Sequence, residues 1–210
     1  MNDAEMSAAG TSAASARQQD MDLELVRQYL GGDSRAFEAL FKKYQTPMFN
    51  LVNRMVGGED AYDLTQDVFC NALRAIHTFR GESKFSTWLY SIAKNVCLNR
   101  IRSRANKCEE SLDGICEDHP RAEIADSAPN PQSIAEMHEL QRTVDLVLET
   151  LSPDQRLMIV LRDFEQLSYE EIGEITGTSL PNVKSRLHRA RMAFKNKFKP
   201  FIPLIREDII

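Results

Sequence analysis

Apolar side chains recur every three or four residues along most of this chain, which is the spacing of one face of an α-helix. The run Phe37, Leu40, Phe41, Tyr44 and Met48 is one example. No segment alternates apolar and polar residues over the length that a half-buried β-strand needs. The pattern therefore predicts an all-α protein.

The segment 105–137 interrupts this pattern. It is weakly periodic and contains three prolines, and residues 109–138 carry eight acidic residues against one arginine. A stretch of this length without its own structure is uncommon inside a compact domain. We therefore predict two helical domains, residues 21–105 and 138–200, joined by a flexible acidic linker over 106–137. Residues 1–20 are predicted to be a disordered tail, and 201–210 a C-terminal tail.

Several classes of protein are excluded by the apolar runs and the cysteines. The longest unbroken apolar run, Leu157–Leu161, has five residues, which is far too short to cross a membrane. The N-terminus has neither the basic start nor the apolar stretch of a signal peptide. The four cysteines show no disulfide-framework spacing. We expect a cytoplasmic protein without membrane insertion.

The formal net charge of −5 hides a strong segregation of charge along the chain. Residues 84–107 contain six basic residues and no acidic one, and residues 183–200 contain seven basic residues and no acidic one. Two basic segments on either side of an acidic one indicate a polyanionic partner that is contacted at two places.

The second basic segment has the proportions of a helix–turn–helix. The capping-box pattern at Ser168 opens a short helix, Gly177 marks a tight turn, and Ser179 opens a longer basic helix. Apolar residues share one arc of this helix, and the opposite arc is polar and basic. We predict that it reads the DNA major groove through Lys184, Ser185, Arg186, His188 and Arg189. The alternative is a merely solvated basic face, but such a face usually mixes charges of both signs.

The first basic segment is a second candidate for nucleic-acid contact. Aromatic and cationic residues alternate in it, as in surfaces that hold unstacked single-stranded bases. The candidate residues are Lys84, Phe85, Trp88, Lys94, Asn95 and Arg102. Periodicity leaves an alternative open, because Phe85 and Trp88 share the helix face of Ile92 and could belong to the core.

Three groups of motifs, in this order along the chain, resemble those of the extracytoplasmic-function sigma factors, the small two-domain members of the bacterial sigma-70 family. The segment Asp60–Phe69 (DAYDLTQDVF) is similar to the region that docks on core RNA polymerase. The segment Phe79–Asn95 (FRGESKFSTWLYSIAKN) is similar to the region that opens and reads the −10 promoter element. The segments LSPDQR, LSYEEI and VKSRLHRAR, which begin at Leu151, Leu167 and Val183, are similar to the domain that binds the −35 element.

The resemblance implies a role for each region of the chain. Asp60, Asp63 and Asp67 would contact the clamp helices of the polymerase β′ subunit, and the C-terminal domain would contact the β flap. The residues of the first basic segment would hold a base flipped from the −10 duplex, with Asn95 as a base reader. The residues of the second would read the −35 element. Core polymerase, promoter DNA and an anti-sigma factor are the implied partners, and no cofactor, metal or catalytic residue is implied.

Other interpretations remain open from the residues alone. The chain could be a stand-alone helix–turn–helix regulator, or an adaptor that docks on polymerase without reading promoters. An enzyme is disfavoured, because the sequence has no phosphate loop, nucleophile elbow or paired catalytic carboxylates. Cys108, Cys116 and His119 could suggest a redox or zinc site, but their spacing matches no metal-binding pattern.

Overall fold

A computed structural model describes residues 19–58, 60–110 and 131–202 of the chain. Within these ranges every regular element is a helix, and none is a strand. This confirms the predicted all-α class. The predictions for residues 1–18, for residues 111–130 of the linker, including Cys116 and His119, and for residues 203–210 lie outside the described part.

Four α-helices lie in the part of the N-terminal half that the structure describes. They are α1 (residues 19–30), α2 (Ser34–Val56), α3 (Asp60–Ala75) and α4 (Phe85–Glu110), and a 3₁₀ turn, Ile76–Thr78, follows α3. The Asp33 side chain accepts a hydrogen bond from the Arg35 amide and so caps α2. α1 is fastened to α2 by Asp22, which is buried and accepts hydrogen bonds from Lys43 and Tyr44.

The described residues 131–202 form four more α-helices. They are α5 (Pro131–Glu149), α6 (Pro153–Ile159), α7 (Tyr169–Thr176) and α8 (Leu180–Phe198). A π-helical turn, Val160–Phe164, extends α6, and a 3₁₀ turn, Lys199–Phe201, follows α8. Because α4 continues to Glu110 and α5 begins at Pro131, helix covers both ends of the segment predicted as a linker. Proline at the first position of a helix loses no hydrogen bond, since that N–H has no partner within the helix.

The capping box predicted at Ser168 is confirmed, and Ser152 forms a second capping box at the start of α6. At α7, Ser168 Oγ accepts from the Glu171 amide at 3.1 Å, and the Ser168 amide donates to Glu171 Oε2 at 2.8 Å. Gly177 then ends α7 in the left-handed conformation, with φ of 65°. This turn directs the chain from α7 into α8.

One continuous apolar core contains residues from both halves of the chain. α2 and α4 contribute Met48, Leu51, Met55 and Leu89, and α5 to α7 contribute Leu148, Leu157, Leu161, Ile172 and Ile175. All of these side chains are fully buried. The two predicted helical domains therefore pack against each other through α2 and α4 on one side and α5 to α7 on the other.

Candidate nucleic-acid interface

Helix α8 has one buried face and one open face. Val183, Leu187 and Ala190 are buried and fix the helix to α6 and α7. Lys184, Ser185, His188 and Arg189 are exposed on the remaining surface. The structure thus brings four of the five residues predicted for duplex reading onto one accessible surface near the start of α8.

Arg186, the fifth predicted residue, is placed differently. Its guanidinium donates to Asp154 Oδ2 at 2.8 Å, and its side chain is only 22% exposed. Arg191, further along α8, is likewise paired with Asp163. Part of the positive charge of α8 is therefore neutralised by carboxylates of α6 and of the π-helical turn. Of the residues predicted to read the duplex, Lys184 and Arg189 keep exposed positive charge.

Of the residues predicted on α4 and immediately before it, some are exposed and others contact α7. Asn95 and Arg102 are exposed. Lys84 Nζ lies 2.9 Å from Glu171 Oε1, and Lys94 Nζ donates to the Ile175 carbonyl at 2.7 Å. The two lysines predicted to contact DNA therefore contact α7 in this conformation.

The aromatic residues at the start of α4 form a cluster. Phe85 is 2% exposed, and its ring centroid lies 5.5 Å from those of Tyr44 and Trp88. Phe79 lies 5.4 Å from Trp88, which is only partly buried. Phe85 therefore belongs to the core in this conformation. Its buried ring packs against Trp88, and the partly exposed ring of Trp88 is the one that a base could reach.

A polar cleft of about 220 Å³ opens between α4, α6 and α8. Lys94, Asn95 and Arg102 line one side, and Asp154 and Arg186 line the other. Burial lowers the pKa of Lys94, and the positive charge of Arg186 lowers it further. Arg186, which is predicted to read the −35 element, thus faces the predicted −10 residues of α4 across one cleft.

The three acidic residues predicted on α3 also differ in their contacts. Asp63 and Asp67 are exposed, together with Tyr62, whose residue surface is 63% exposed. Asp60 instead accepts hydrogen bonds from Arg100 Nε at 2.8 Å and from Arg104 Nη2 at 2.5 Å. Burial opposes ionisation of Asp60, but the hydrogen bonds and charges of the two arginines outweigh it and lower its pKa.

Two residues of the contact between the halves were not identified from the sequence. Tyr90 is 5% exposed, and its hydroxyl donates to Glu165 Oε2 at 2.7 Å. Burial raises the pKa of Tyr90, and the Glu165 charge raises it further. Burial also raises the pKa of Glu165, although the Tyr90 hydrogen bond and the Arg54 charge oppose this. No sequence motif links two residues so far apart.

Two negative findings apply to the residues with described positions. No group of three or more His, Cys, Asp or Glu side chains could hold a metal ion there. Over the same ranges, no helix is both long enough and apolar enough to span a membrane.

Comparison with known proteins was made for the sequence and for the fold. The family model for Sigma-70 region 2 matches residues 40–107, and that for Sigma-70, region 4 matches residues 134–194. The ECF RNA polymerase sigma-E factor of Escherichia coli (strain K12) is 37% identical over 183 residues, which cover 86% of this chain and 96% of that protein. The RNA polymerase sigma-H factor of Pseudomonas aeruginosa is 37% identical over 188 residues, which cover 88% and 97%.

Two solved structures share the fold. CnrH, in complex with the cytosolic domain of CnrY, has a TM-score of 0.65 at 24% identity and covers 86% of this chain and 99% of its own. RpoE from Bartonella quintana, in complex with the anti-sigma factor NepR, has a TM-score of 0.64 at 24% identity and covers 78% and 96%.

Proposed function

The chain belongs to the sigma-70 family as an extracytoplasmic-function sigma factor, and on this premise we propose which of its residues carry out each step of initiation. A sigma factor binds core RNA polymerase, directs it to the −35 and −10 promoter elements and promotes strand opening. These steps require binding and strand separation rather than covalent chemistry, so we assign no catalytic residue.

Recognition of the −35 element is assigned to the exposed face of α8. Lys184 and Arg189 supply the free positive charge, and Ser185 and His188 supply further polar groups near the start of the helix. Arginine and lysine pair with guanine O6 and N7, and the remaining charge contacts phosphate. Arg186 leaves Asp154 to contact DNA on binding, so its substitution removes both one DNA contact and one ion pair between α6 and α8.

Recognition of the −10 element is assigned to α4. Asn95 and Arg102 are exposed and supply a base-reading amide and a phosphate-binding cation. Lys84 and Lys94 add positive charge once they leave α7, and Trp88 provides a ring on which a flipped base can stack. Phe85 supports Trp88 from the core. Flipping a base costs a few kcal/mol, which stacking and hydrogen bonds must return.

Docking on core polymerase is assigned to the exposed face of α3. Asp63 and Asp67 are free to contact the clamp helices of the β′ subunit, and Tyr62 adds an exposed aromatic ring beside them. Asp60 orders this face through its pairing with α4 rather than by direct contact. The C-terminal domain is assigned to the β flap. Two weak DNA contacts that are joined through polymerase gain affinity from effective concentration.

We also assign an anti-sigma factor as the regulatory partner. One protein of the same fold was solved in complex with an anti-sigma factor, which supports this assignment by analogy. A stress or envelope response is the corresponding physiological setting.

The observation that carries the residue assignments is the separation of two basic surfaces onto two helices, α4 and α8. Run-off transcription with purified bacterial core polymerase tests the function, and specific initiation is expected. Arg189→Ala is expected to weaken promoter duplex binding, whereas Asn95→Ala spares it and impairs opening.

Permanganate footprinting of the −10 region, measured beside duplex binding, separates the two effects. Equal defects of both variants in both assays contradict the residue assignments. Duplex binding without any start-site selection by polymerase would instead favour a stand-alone regulator.

A further inference from the structure

The buried carboxylate of Asp22 in α1 holds two side chains of α2. Its Oδ1 accepts a hydrogen bond from Lys43, and its Oδ2 accepts one from the Tyr44 hydroxyl. Lys43 is partly exposed and can bind water instead, whereas Tyr44 is buried. A buried hydroxyl that loses its partner is costly. Asp22 therefore fixes the position of Tyr44 more firmly than that of Lys43.

The Tyr44 ring connects this hydrogen bond to the start of α4. Its centroid lies 5.5 Å from that of Phe85, the first residue of α4. Phe85 in turn lies 5.5 Å from Trp88 and 5.6 Å from Phe79, and Phe79 lies 5.4 Å from Trp88. We call Phe79, Phe85 and Trp88 the aromatic triad. Because each ring of the triad packs on the other two, a shift of Tyr44 would displace the Trp88 ring.

A second contact joins α1 to the segment 79–84, which precedes α4. Gly81 lies in this segment with φ of 75°, and a Cβ placed there would lie 3.1 Å from Leu23 Cδ1. The backbone of the segment thus approaches α1 closely at the residue next to Asp22. Helix α1 therefore contacts the segment directly and reaches the first residue of α4 through Tyr44.

The Tyr44 hydroxyl is held between α1 and α4. Burial raises the pKa of Tyr44, and the hydrogen bond and charge of Asp22 raise it further, while a hydrogen bond with Ser86 opposes the rise. The hydroxyl therefore stays protonated at neutral pH and donates to Asp22. Since Ser86 is the second residue of α4, the hydroxyl has partners on both helices.

We propose that Asp22 is a positioning residue for −10 recognition, which acts through Tyr44 on the aromatic triad. This inference rests on the assignment of α4 and Trp88 to the −10 element. Asp22 is buried and does not contact DNA itself. It keeps the Trp88 ring where a flipped base can stack, so that no free energy is spent on ordering the triad when the base arrives.

The first test uses the fluorescence of Trp88, which is the only tryptophan of the chain. Asp22→Ala leaves the Tyr44 hydroxyl without its acceptor, so the Trp88 emission is expected to shift to longer wavelength and acrylamide quenching to increase. Asp33→Ala is the matched control, because it removes the carboxylate that caps α2 through the Arg35 amide and leaves Tyr44 bound. It is expected to leave both quantities unchanged.

Two further variants separate the hydrogen bond from a general loss of packing. Asp22→Asn keeps an oxygen that accepts from Tyr44 and loses only the Lys43 ion pair, so it is expected to retain the emission and quenching of the unmodified chain. Tyr44→Phe keeps the ring but removes the hydroxyl, and it is expected to reproduce the shift of Asp22→Ala. Emission and quenching that stay unchanged in both Asp22→Ala and Tyr44→Phe overturn the proposal.

The functional test selects single-stranded DNA oligomers from a pool of randomised sequence with holoenzyme, which is assembled from the full chain and bacterial core polymerase. The unmodified chain and Asp33→Ala are expected to enrich the same motif. Asp22→Ala and Tyr44→Phe are expected to bind oligomers of this motif about tenfold more weakly, because a base stacks poorly on a displaced Trp88. Asp22→Asn is expected to restore the affinity.

Failure of this proposal is distinguishable from failure of the function on which it rests. If holoenzyme with the unmodified chain enriches no motif, the assignment of α4 to the −10 element fails, and the positioning role fails with it. If the motif is enriched and Asp22→Ala binds it as tightly as the unmodified chain, only the positioning role is overturned. Circular dichroism of each variant confirms that the helices are retained.

Discussion

Asp60 and Arg100 join the start of α3 to the second half of α4, with Asp60 Oδ2 accepting from Arg100 Nε at 2.8 Å. Arg104 donates to the same oxygen and, through its other nitrogen, to the Val56 carbonyl at 3.1 Å. Asp60 thus connects the start of α3 to α4, and Arg104 connects both to the end of α2. An acid at a helix N-terminus is also favoured by the helix dipole.

This pairing predicts that Asp60 and Asp63 have different roles. Asp60→Asn is expected to lower the free energy of unfolding by about 1 kcal/mol, a modest value because the carboxylate is partly solvated. Asp63→Asn is expected to leave stability within about 0.5 kcal/mol and to weaken binding to core polymerase. Thermal unfolding and a polymerase pull-down of both variants check this. A destabilised Asp63→Asn protein would contradict the division of the acidic face.

The free charge on α8 predicts a salt-dependent −35 contact. Lys184→Ala is expected to weaken duplex binding similarly for all sequences and to reduce the slope of log K against log salt by about 1, because one phosphate contact is lost. Lys199→Ala, beyond the end of α8, is the control and should change neither quantity. Anisotropy titrations over a range of salt concentrations give both slopes. An unchanged slope for Lys184→Ala would remove it from the DNA contact.

The turn between α7 and α8 predicts a backbone requirement at Gly177. Its φ of 65° lies in the left-handed region, and a Cβ placed there meets no atom within 4 Å. Gly177→Ala is therefore expected to cost about 1 kcal/mol through backbone strain alone. Gly177→Asn should cost less, because asparagine tolerates this conformation. Chemical denaturation of both variants measures the difference, and equal losses would indicate a steric cause instead.

Glu165 predicts that the closed form, in which α2 and α4 pack against α5 to α7, depends on pH. Its pKa in the closed form is raised above the ordinary 4.5 by burial, although the Tyr90 hydroxyl of α4 and the Arg54 charge of α2 oppose the rise. The closed form thus binds more protons than the open form, so closure strengthens as pH falls toward 4.5. The lowered pKa of Glu171 acts oppositely below 4.5, where loss of its charge releases Lys84.

Small-angle X-ray scattering of the free chain checks this prediction. The radius of gyration is expected to decrease as the pH falls toward 4.5 and to increase again in stronger acid. Glu165→Gln, which keeps an acceptor for Tyr90 but cannot ionise, should remove the first change and retain the second. A radius of gyration that stays constant over the whole range would contradict it.

The aromatic residues of α4 illustrate how far periodicity reaches. The 100° spacing of Phe85, Trp88 and Ile92 predicts a shared face, and these side chains do pack against the core. Periodicity could not predict which of these side chains is the most deeply buried, however. Phe85 is buried by Tyr44 of α2 and by Phe79 before α4. These contacts form only when the helices pack against each other. The remaining exposure of Trp88 follows from its place at the edge of that cluster.

The sequence alone determined the helices, their capping boxes and the two basic surfaces, because each depends on residues only a few positions apart. The −35 face of α8 is predictable for this reason, since its buried and exposed arcs follow from helical spacing. Only the tertiary structure decided that Asp60 pairs with Arg100 and Arg186 with Asp154. It also decided that the partners of Lys84, Tyr90 and Lys94 are Glu171, Glu165 and Ile175. Those partners are 32 to 87 positions apart. Contacts over such distances depend on how the helices pack, which no local pattern encodes.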